Sequence, residues 1–227
     1  MSNTIIDKML AVGAHFGYRK SRRDPSMKDF IFGAKNKTEI FDLEKTSKKL
    51  DSVKDFVSKL ATEGKVILFV GTKAEAKKTI KEFAESISMP YVNERWIGGT
   101  ITNFSEIKKR ISRLLDIVEK KEKGELAKYT KKEQMLMDRE IEKLRKNFGG
   151  ISIMKDLPAA IFIVDPRKES TAVVEAKRKS IPIIALASND CNVKDVDYFI
   201  PANDSAINSI KFFVSEVVEA YKNARAK

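Results

Sequence analysis

Two short polar segments that follow apolar runs contain the residue types from which phosphate or acid–base sites are built. Gly71-Thr72-Lys73 follows the apolar run 65–70 and precedes a predicted helix, so its amides could hold a phosphate. Asp165-Pro166-Arg167-Lys168-Glu169 follows the apolar run 160–164 and places carboxylates beside two cations. The first segment lacks the upstream glycine of a Walker loop, and the chain contains no Gly-x-Gly-x-x-Gly. A phosphosugar- or nucleotide-binding α/β enzyme is therefore only the alternative function.

Structural explanations account for the same two segments. A tight turn before a helix would require Gly71, and Asp165 or Glu169 would serve as a helix cap while Arg167 contacts a partner. We expect these explanations to hold.

The sequence lacks the residue combinations on which the common catalytic mechanisms depend. His15 is the only histidine, and no Gly-x-Ser-x-Gly or paired carboxylate motif accompanies it. Cys191 is the only cysteine, so neither an internal disulfide nor a Cys/His zinc site can form. We predict no enzyme activity, no catalytic residue, no metal and no cofactor.

A lone cysteine, the lack of a signal pattern and the lack of a run of about 18 apolar residues predict a soluble cytoplasmic protein.

The positive charge of the chain is concentrated in two segments. Lys and Arg number 44 against 32 Asp and Glu, an excess of +12. Residues 1–37 carry eight basic and three acidic groups, and residues 105–147 carry 14 and nine. Residues 38–104 and 148–227 each carry 11 basic and 10 acidic groups. Ten of the twelve excess charges therefore lie in two segments, which indicates a polyanionic partner such as nucleic acid.

Within the basic N-terminal segment, residues 1–37, the cations are unusually close together. Arg19, Lys20, Arg22 and Arg23 follow one another with no acidic neighbour before Asp24. Four adjacent cations repel each other unless an anion lies among them. The alternative, that a charged run is only a solvated face, fits mixed-charge helices better than this loop.

The core of the chain is predicted from two similar strand–turn–helix–strand units. In the first, the apolar run 65–70 precedes an amphipathic stretch, 74–87, and a second run, 89–92. In the second, the run 160–164 precedes a helical stretch, 170–179, and the run 181–186. Strands that are apolar throughout are buried on both faces, which requires a parallel sheet between helices. The fold class is therefore α/β, a doubly wound parallel sheet.

Four further elements complete the predicted core domain, which comprises residues 38–104 and 148–227. We predict a first strand over 40–43, a helix over 45–60, a last strand over 198–200 and a closing helix over 204–221. Asp204 is the expected N-cap or first-turn acid of that closing helix.

A different pattern separates the two units. Ile107, Ile111, Leu114 and Val118 recur at spacings of four, three and four residues. Met137, Ile141, Leu144 and Phe148 repeat that spacing after a break near Gly124. Stripes this narrow form the seam of an antiparallel coiled-coil hairpin. Residues 105–147 are therefore predicted to protrude from the domain, and we call them the helical arm.

Six short motifs in one order carry a resemblance to a known family over nearly the whole chain. The sequence resembles bacterial-type small-subunit ribosomal protein two. The motifs are Gly13-Ala14-His15-Phe16-Gly17, Phe69-Val70-Gly71-Thr72-Lys73, Met89-Pro90-Tyr91-Val92-Asn93, residues 95–104 (RWIGGTITNF), Val164-Asp165-Pro166-Arg167-Lys168-Glu169 and Asp197-Tyr198-Phe199-Ile200-Pro201.

The resemblance implies a flavodoxin-like sheet with an inserted helical hairpin, in a structural constituent of the small ribosomal subunit. It implies small-subunit ribosomal RNA and neighbouring ribosomal proteins as partners, and a role in docking the large mRNA-binding ribosomal protein one. We expect no membrane and no small-molecule substrate. Trp96 fits either core packing or stacking on a base, and His15 fits stacking or hydrogen bonding. The predicted RNA-binding residues are His15, Tyr18, Arg19, Lys20, Arg22, Arg23, Lys28, Arg95, Trp96, Asn103, Lys108, Lys109, Arg110, Arg113, Arg167 and Lys168.

Overall fold

The computed structural model describes residues 4–225, within which seven α-helices and eight strands are formed. The helices are α1 (Ile5–Ala11), α2 (Leu43–Thr62), α3 (Ala74–Ser86), α4 (Phe104–Glu122), α5 (Lys131–Phe148), α6 (Ser170–Arg178) and α7 (Ile207–Arg225). The strands are β1 (Phe16–Arg19), β2 (Ile31–Lys35), β3 (Thr38–Phe41), β4 (Ile67–Val70), β5 (Tyr91–Val92), β6 (Ala160–Val164), β7 (Ile183–Ala187) and β8 (Tyr198–Pro201).

Five of the strands form a parallel sheet in the order β5-β4-β6-β7-β8. Counted within this sheet the order is 2-1-3-4-5, which is that of flavodoxin-like doubly wound folds. Every residue of β4, β6 and β7 is buried. The predicted parallel α/β core is therefore confirmed, and the continuous apolar runs reflect burial on both faces.

The two faces of the sheet are covered by different sets of helices. Ile67 and Phe69 belong to a core cluster that includes residues of α1, α2, α3 and α7. Leu68 and Val70, which alternate with them along β4, belong to a second cluster with residues of α4, α5 and α6. Because successive side chains of a strand point to opposite faces of the sheet, β4 contributes residues to both core clusters.

The predicted first strand of the core is wrong in its placement. β3 pairs in antiparallel fashion with β1 and β2 in a separate three-stranded sheet. Along β3, Glu39 and Phe41 are buried and the alternate residues are only partly buried, a pattern of one covered face. Leu43 already belongs to α2, because the Asp42 carboxylate accepts hydrogen bonds from the first amides of that helix.

The predicted start of the last helix is also wrong. α7 begins at Ile207, and the Asn203 side chain accepts from the amides of Ser205 and Ala206. Asp204 does not cap the helix with its side chain, because that carboxylate is buried and bound to Lys73.

α4 and α5 contact each other through apolar residues and ion pairs. Ile107, Ile111 and Leu114 are buried as expected, but Ile117 rather than Val118 is the next fully buried residue. In α5 the residues Ile141, Leu144 and Phe148 are buried, and Met137 is partly buried. Pairs such as Arg113–Glu140 and Lys121–Asp138 join the two helices.

Among residues 4–225, every helix is too short or too polar to cross a bilayer.

Candidate nucleic-acid interface

The crevice in which doubly wound sheets hold ligands is closed by contacts of the chain with itself. β4 and β6 are neighbours with connections to opposite sides, so their carboxyl ends mark the topological switch point. Lys73 after β4 lies 3.2 Å from the carboxylate of Asp165 after β6. The amide and hydroxyl of Thr72 donate to the Glu169 carboxylate at 3.0 and 2.5 Å. The Lys73 ammonium and the amide and hydroxyl of Thr72 are therefore already bonded within the chain.

Lys73 is the centre of a polar cluster beneath that crevice. Its Nζ lies 3.1 Å from Asp204, 3.2 Å from Asp165 and Ser205, and 3.3 Å from the Tyr18 hydroxyl. Burial opposes the charge of Lys73, but Asp204 and Asp165 outweigh it and raise the Lys73 pKa. Burial and the neighbouring Asp165 raise the pKa of Asp204 to about 6, although Lys73 opposes this.

Asp165, Cys191 and Asp204 bring possible metal-ligand atoms within 4.8 Å of one another. The Lys73 ammonium already supplies positive charge to both carboxylates. Burial raises the pKa of the Cys191 thiol, so it stays protonated and is a poor metal ligand. The geometry fits the internal Lys73 cation better than a bound ion.

Gly71 is required for a different reason from the tight turn expected from the sequence. Its φ lies outside the left-handed region, so no special turn demands glycine there. A Cβ at this position would lie 2.8 Å from Ile80 and 3.2 Å from Ala76, both on α3. Gly71 is needed because α3 packs directly against the end of β4.

The basic N-terminal segment is held to the carboxyl edge of the sheet by Asn189. Tyr18 donates its amide to the Asn189 side chain at 2.8 Å, and its carbonyl accepts from Asn189 at 3.0 Å. The Asp24 amide donates to the Asn189 carbonyl at 2.8 Å. Asn189 also donates to Glu39 at 2.7 Å, so one buried residue joins both sides of the cation run 19–23 to β3.

Two of the four clustered cations have acidic partners distant in sequence. Arg22 lies 3.1 Å from Asp190, and Arg23 lies 2.9 Å from the buried Glu39. The anions expected among these charges are, for these two arginines, carboxylates of the chain itself. Folding brings up carboxylates that lie far from the cluster in sequence.

Six predicted RNA-binding cations are exposed and, within residues 4–225, form no ion pair. They are Arg19, Lys20, Lys28, Arg95, Arg110 and Lys168. The other cations of α4 have acidic neighbours: Lys109 pairs with Glu106, and Arg113 pairs with Glu140. Lys108 lies 3.6 Å from Asp156. Binding of RNA by any of these residues stays a prediction.

The four remaining residues predicted to bind RNA differ in their burial and in their neighbours. Trp96 is 9% exposed and packs in the second core cluster, the core-packing alternative. The His15 ring lies 4.0 Å from that of Phe16, and burial lowers the His15 pKa, which favours its neutral form at pH 7. Asn103 is exposed at the start of α4. Arg167 lies 3.0 Å from Asp190, beside Arg22.

One buried acid, Glu175, holds the segment from Trp96 to Thr102 and was not identified from the sequence. Glu175 accepts from the Trp96 indole, the amides of Gly99, Ile101 and Thr102, and the Thr102 hydroxyl. It lies on the apolar face of α6, three residues after Ala172 and one before Ala176. A carboxylate at such a position is the pattern that could have indicated it.

A family model described as ribosomal protein S2 matches residues 9–224.

Proposed function

The chain belongs to the ribosomal protein S2 family, and from that premise we propose how it serves as a structural constituent of the small ribosomal subunit in translation. It binds ribosomal RNA through the basic N-terminal segment and the helical arm. The α/β core sets the spacing between these two surfaces.

The observation that supports this most is the unequal distribution of charge along the chain. Ten of the twelve excess charges lie in residues 1–37 and 105–147. Arg19, Lys20 and Lys28 are exposed and have no carboxylate partner within the described residues. Their hydrogen-bond donors are available to phosphate oxygens, which favours contact with the RNA backbone.

The helical arm supplies the second surface. α4 and α5 pack through an apolar stripe and carry charged residues elsewhere. We propose that they form an antiparallel hairpin, which places Arg110 toward RNA. In this division, residues 1–37, the arm and the remaining α/β core are three functional parts of one chain.

A nucleotide- or phosphosugar-binding enzyme is not favoured. Lys73 and Thr72, the two residues on which that alternative depended, are bonded to Asp165, Asp204 and Glu169. An incoming phosphate would have to break these contacts.

Binding of the full chain to small subunits lacking this protein tests the proposal. Replacing Arg19, Lys20 and Lys28 together by alanine removes three exposed charges. We expect the affinity to fall and the log–log salt slope to shrink by about 0.7–0.9 for each phosphate that the variant no longer neutralises. The matched control replaces three exposed lysines of the core, Lys48, Lys59 and Lys211. Equal reductions in affinity in the two triple variants would refute the assignment of the surface.

We also propose that the chain docks ribosomal protein one, as the family resemblance implies. Two exposed aromatic residues of the small antiparallel sheet, Phe16 and Phe32, support contact with a protein. Phe16 and Gly33 both pair with Ile40, and Phe32 lies in the register shift beside Gly33. Phe32 is 81% exposed and Phe16 48%. Replacing Phe16 and Phe32 by serine should abolish binding of purified protein one while subunit binding persists; retained binding would refute this docking surface.

A further inference from the structure

A cleft of about 530 Å³ separates the basic N-terminal segment from the start of α6. Arg22 and Arg23 line it from the N-terminal segment, and Arg167 and Lys177 line it from the β6–α6 turn and α6. These residues come from parts of the sequence more than a hundred positions apart. The cleft therefore exists only in the folded chain.

The acidic residues that line the cleft are all engaged by the chain itself. Asp24 accepts from the amide and hydroxyl of Ser26, at 2.9 and 2.6 Å. Asp195 pairs with Lys177. Asp190 is the third acid, and its side chain is 5% exposed. Among the described residues, each acid in the cleft wall therefore has a partner.

Two arginines share the carboxylate of Asp190. One oxygen, Oδ2, accepts from Arg22 at 3.1 Å and from Arg167 at 3.0 Å, so the two donor nitrogens are at most about 6 Å apart. A single carboxylate cannot neutralise two guanidinium groups, and the four cations and three acids that line the cleft leave one positive charge in excess. The Arg22 side chain is 53% exposed and that of Arg167 57%, which leaves donors of both free for a ligand.

The position of Arg22 is further restricted by an aromatic ring. Its Cζ lies 4.2 Å from the centre of the Tyr18 ring, within the range of a cation–π contact. Tyr18 is in turn fixed by Asn189 and Ser205. The clamp is thus ordered before any ligand arrives, which reduces the entropic cost of binding.

We propose that Arg22 and Arg167 form a clamp for one phosphodiester group of ribosomal RNA, with Asp190 holding them in place. This inference rests on the proposed RNA-binding function and assigns one phosphate contact within it. Paired guanidinium groups match the oxygens of a phosphate, because each presents a planar fork of N–H donors. A phosphate in the cleft removes the excess charge that Asp190 leaves.

The test measures the dissociation constant of the full chain for small subunits lacking this protein, over a series of KCl concentrations. Arg22→Ala and Arg167→Ala should each weaken binding about tenfold or more, as expected when a hydrogen bond to a charged group is removed. The double variant should weaken binding much less than the product of the two, because both residues hold the same phosphate. Its salt slope should fall by about 0.7–0.9, the value for one phosphate.

Two further variants separate the clamp from a purely structural role. Arg178→Ala removes one exposed cation of α6 outside the cleft and should leave the affinity nearly unchanged. Both arginines bond one oxygen of Asp190, and the amide oxygen of an asparagine can accept from them in its place. Asp190→Asn therefore keeps the two arginines positioned and removes only the competing negative charge, so binding should be as tight as in the wild type or tighter. A tenfold weaker affinity in Asp190→Asn, or an unchanged salt slope in the double variant, would overturn the clamp.

The outcomes also distinguish this inference from the proposed function. If Arg22→Ala and Arg167→Ala bind like Arg178→Ala while the wild type binds subunits, only the clamp is wrong. If the wild-type chain itself does not bind stripped subunits, the proposed function fails with it.

Discussion

Replacing Glu175 by glutamine would remove the anchor of the segment that leads from β5 into α4. Oε1 of Glu175 accepts from the Trp96 indole at 3.0 Å and the Gly99 amide at 2.8 Å. Oε2 accepts from the amides of Ile101 and Thr102 at 3.0 and 3.1 Å, and from the Thr102 hydroxyl at 3.1 Å. A carboxamide has one acceptor oxygen, so its NH₂ group must face at least two N–H donors.

The expected loss of stability follows from those two donors. A buried donor without a partner costs about 1–3 kcal/mol, so Glu175→Gln should destabilise the fold by about 2–6 kcal/mol. For a chain of this size each kcal/mol lowers the Tm by about 2–4 °C, and a midrange loss of about 4 kcal/mol corresponds to about 8–16 °C. Binding to small subunits should weaken as well, because Trp96 and Asn103 lie in the segment that leads into the helical arm.

The effect should also depend on pH. Burial of Glu175 opposes its charge, but the indole and amide donors outweigh it and lower the Glu175 pKa below its ordinary value of 4.5. A lowered pKa adds stability that is present above about pH 5 and is lost as the pH falls through the folded-state value. The gap in Tm between wild type and Glu175→Gln should therefore shrink as the pH falls below about 4.5.

Thermal unfolding followed by circular dichroism measures both effects. The matched control is Glu219→Gln, which changes an exposed glutamate of α7 that forms no ion pair within the described residues. If Glu175→Gln unfolds within about 2 °C of that control, less than a loss of 1 kcal/mol would produce, the five-donor anchor does not carry the stability assigned to it.

Three further substitutions follow from the same structure. Asp204 has a pKa raised to about 6 from 3.8, so its contribution to stability is lost as the pH rises between these values; the Tm of the wild type should fall relative to Asp204→Asn from about pH 4 to pH 7, and a constant gap would contradict this. Gly150→Ala would place a methyl carbon 2.3 Å from a backbone oxygen and should cost about 1–3 kcal/mol in urea unfolding, whereas Gly98→Ala, with nothing within 4 Å, should not. Arg23→Ala removes the ion-pair partner of the buried Glu39 and should destabilise by about 3 kcal/mol, and weaker RNA binding with unchanged stability would argue against that pairing.

The parallel core could be predicted from the sequence because burial on both faces leaves a local trace. The runs that became β4, β6 and β7 are apolar throughout, and every residue of these strands is buried. The helices between them were found within one or two residues, because amphipathic spacing is also local. By contrast, the 40–43 run carries no such trace of its sheet, and its assignment to the core was wrong.

The predicted RNA-binding surface shows the same division. Composition and order along the chain established where positive charge is concentrated and which family motifs are present. They could not show that Arg23 is neutralised by Glu39 or that Arg22 and Arg167 share Asp190. These pairs join residues separated by 16 to 168 positions.

The sequence by itself therefore determined the sheet architecture, the two basic segments and the family resemblance, because each depends on residue type and local spacing. Tertiary structure alone decided which cations remain free for a partner and why the ligand crevice of the fold is closed. The physical reason is that ion pairing and packing depend on distances in space, and the chain brings distant carboxylates within about 3 Å of its arginines only when it folds.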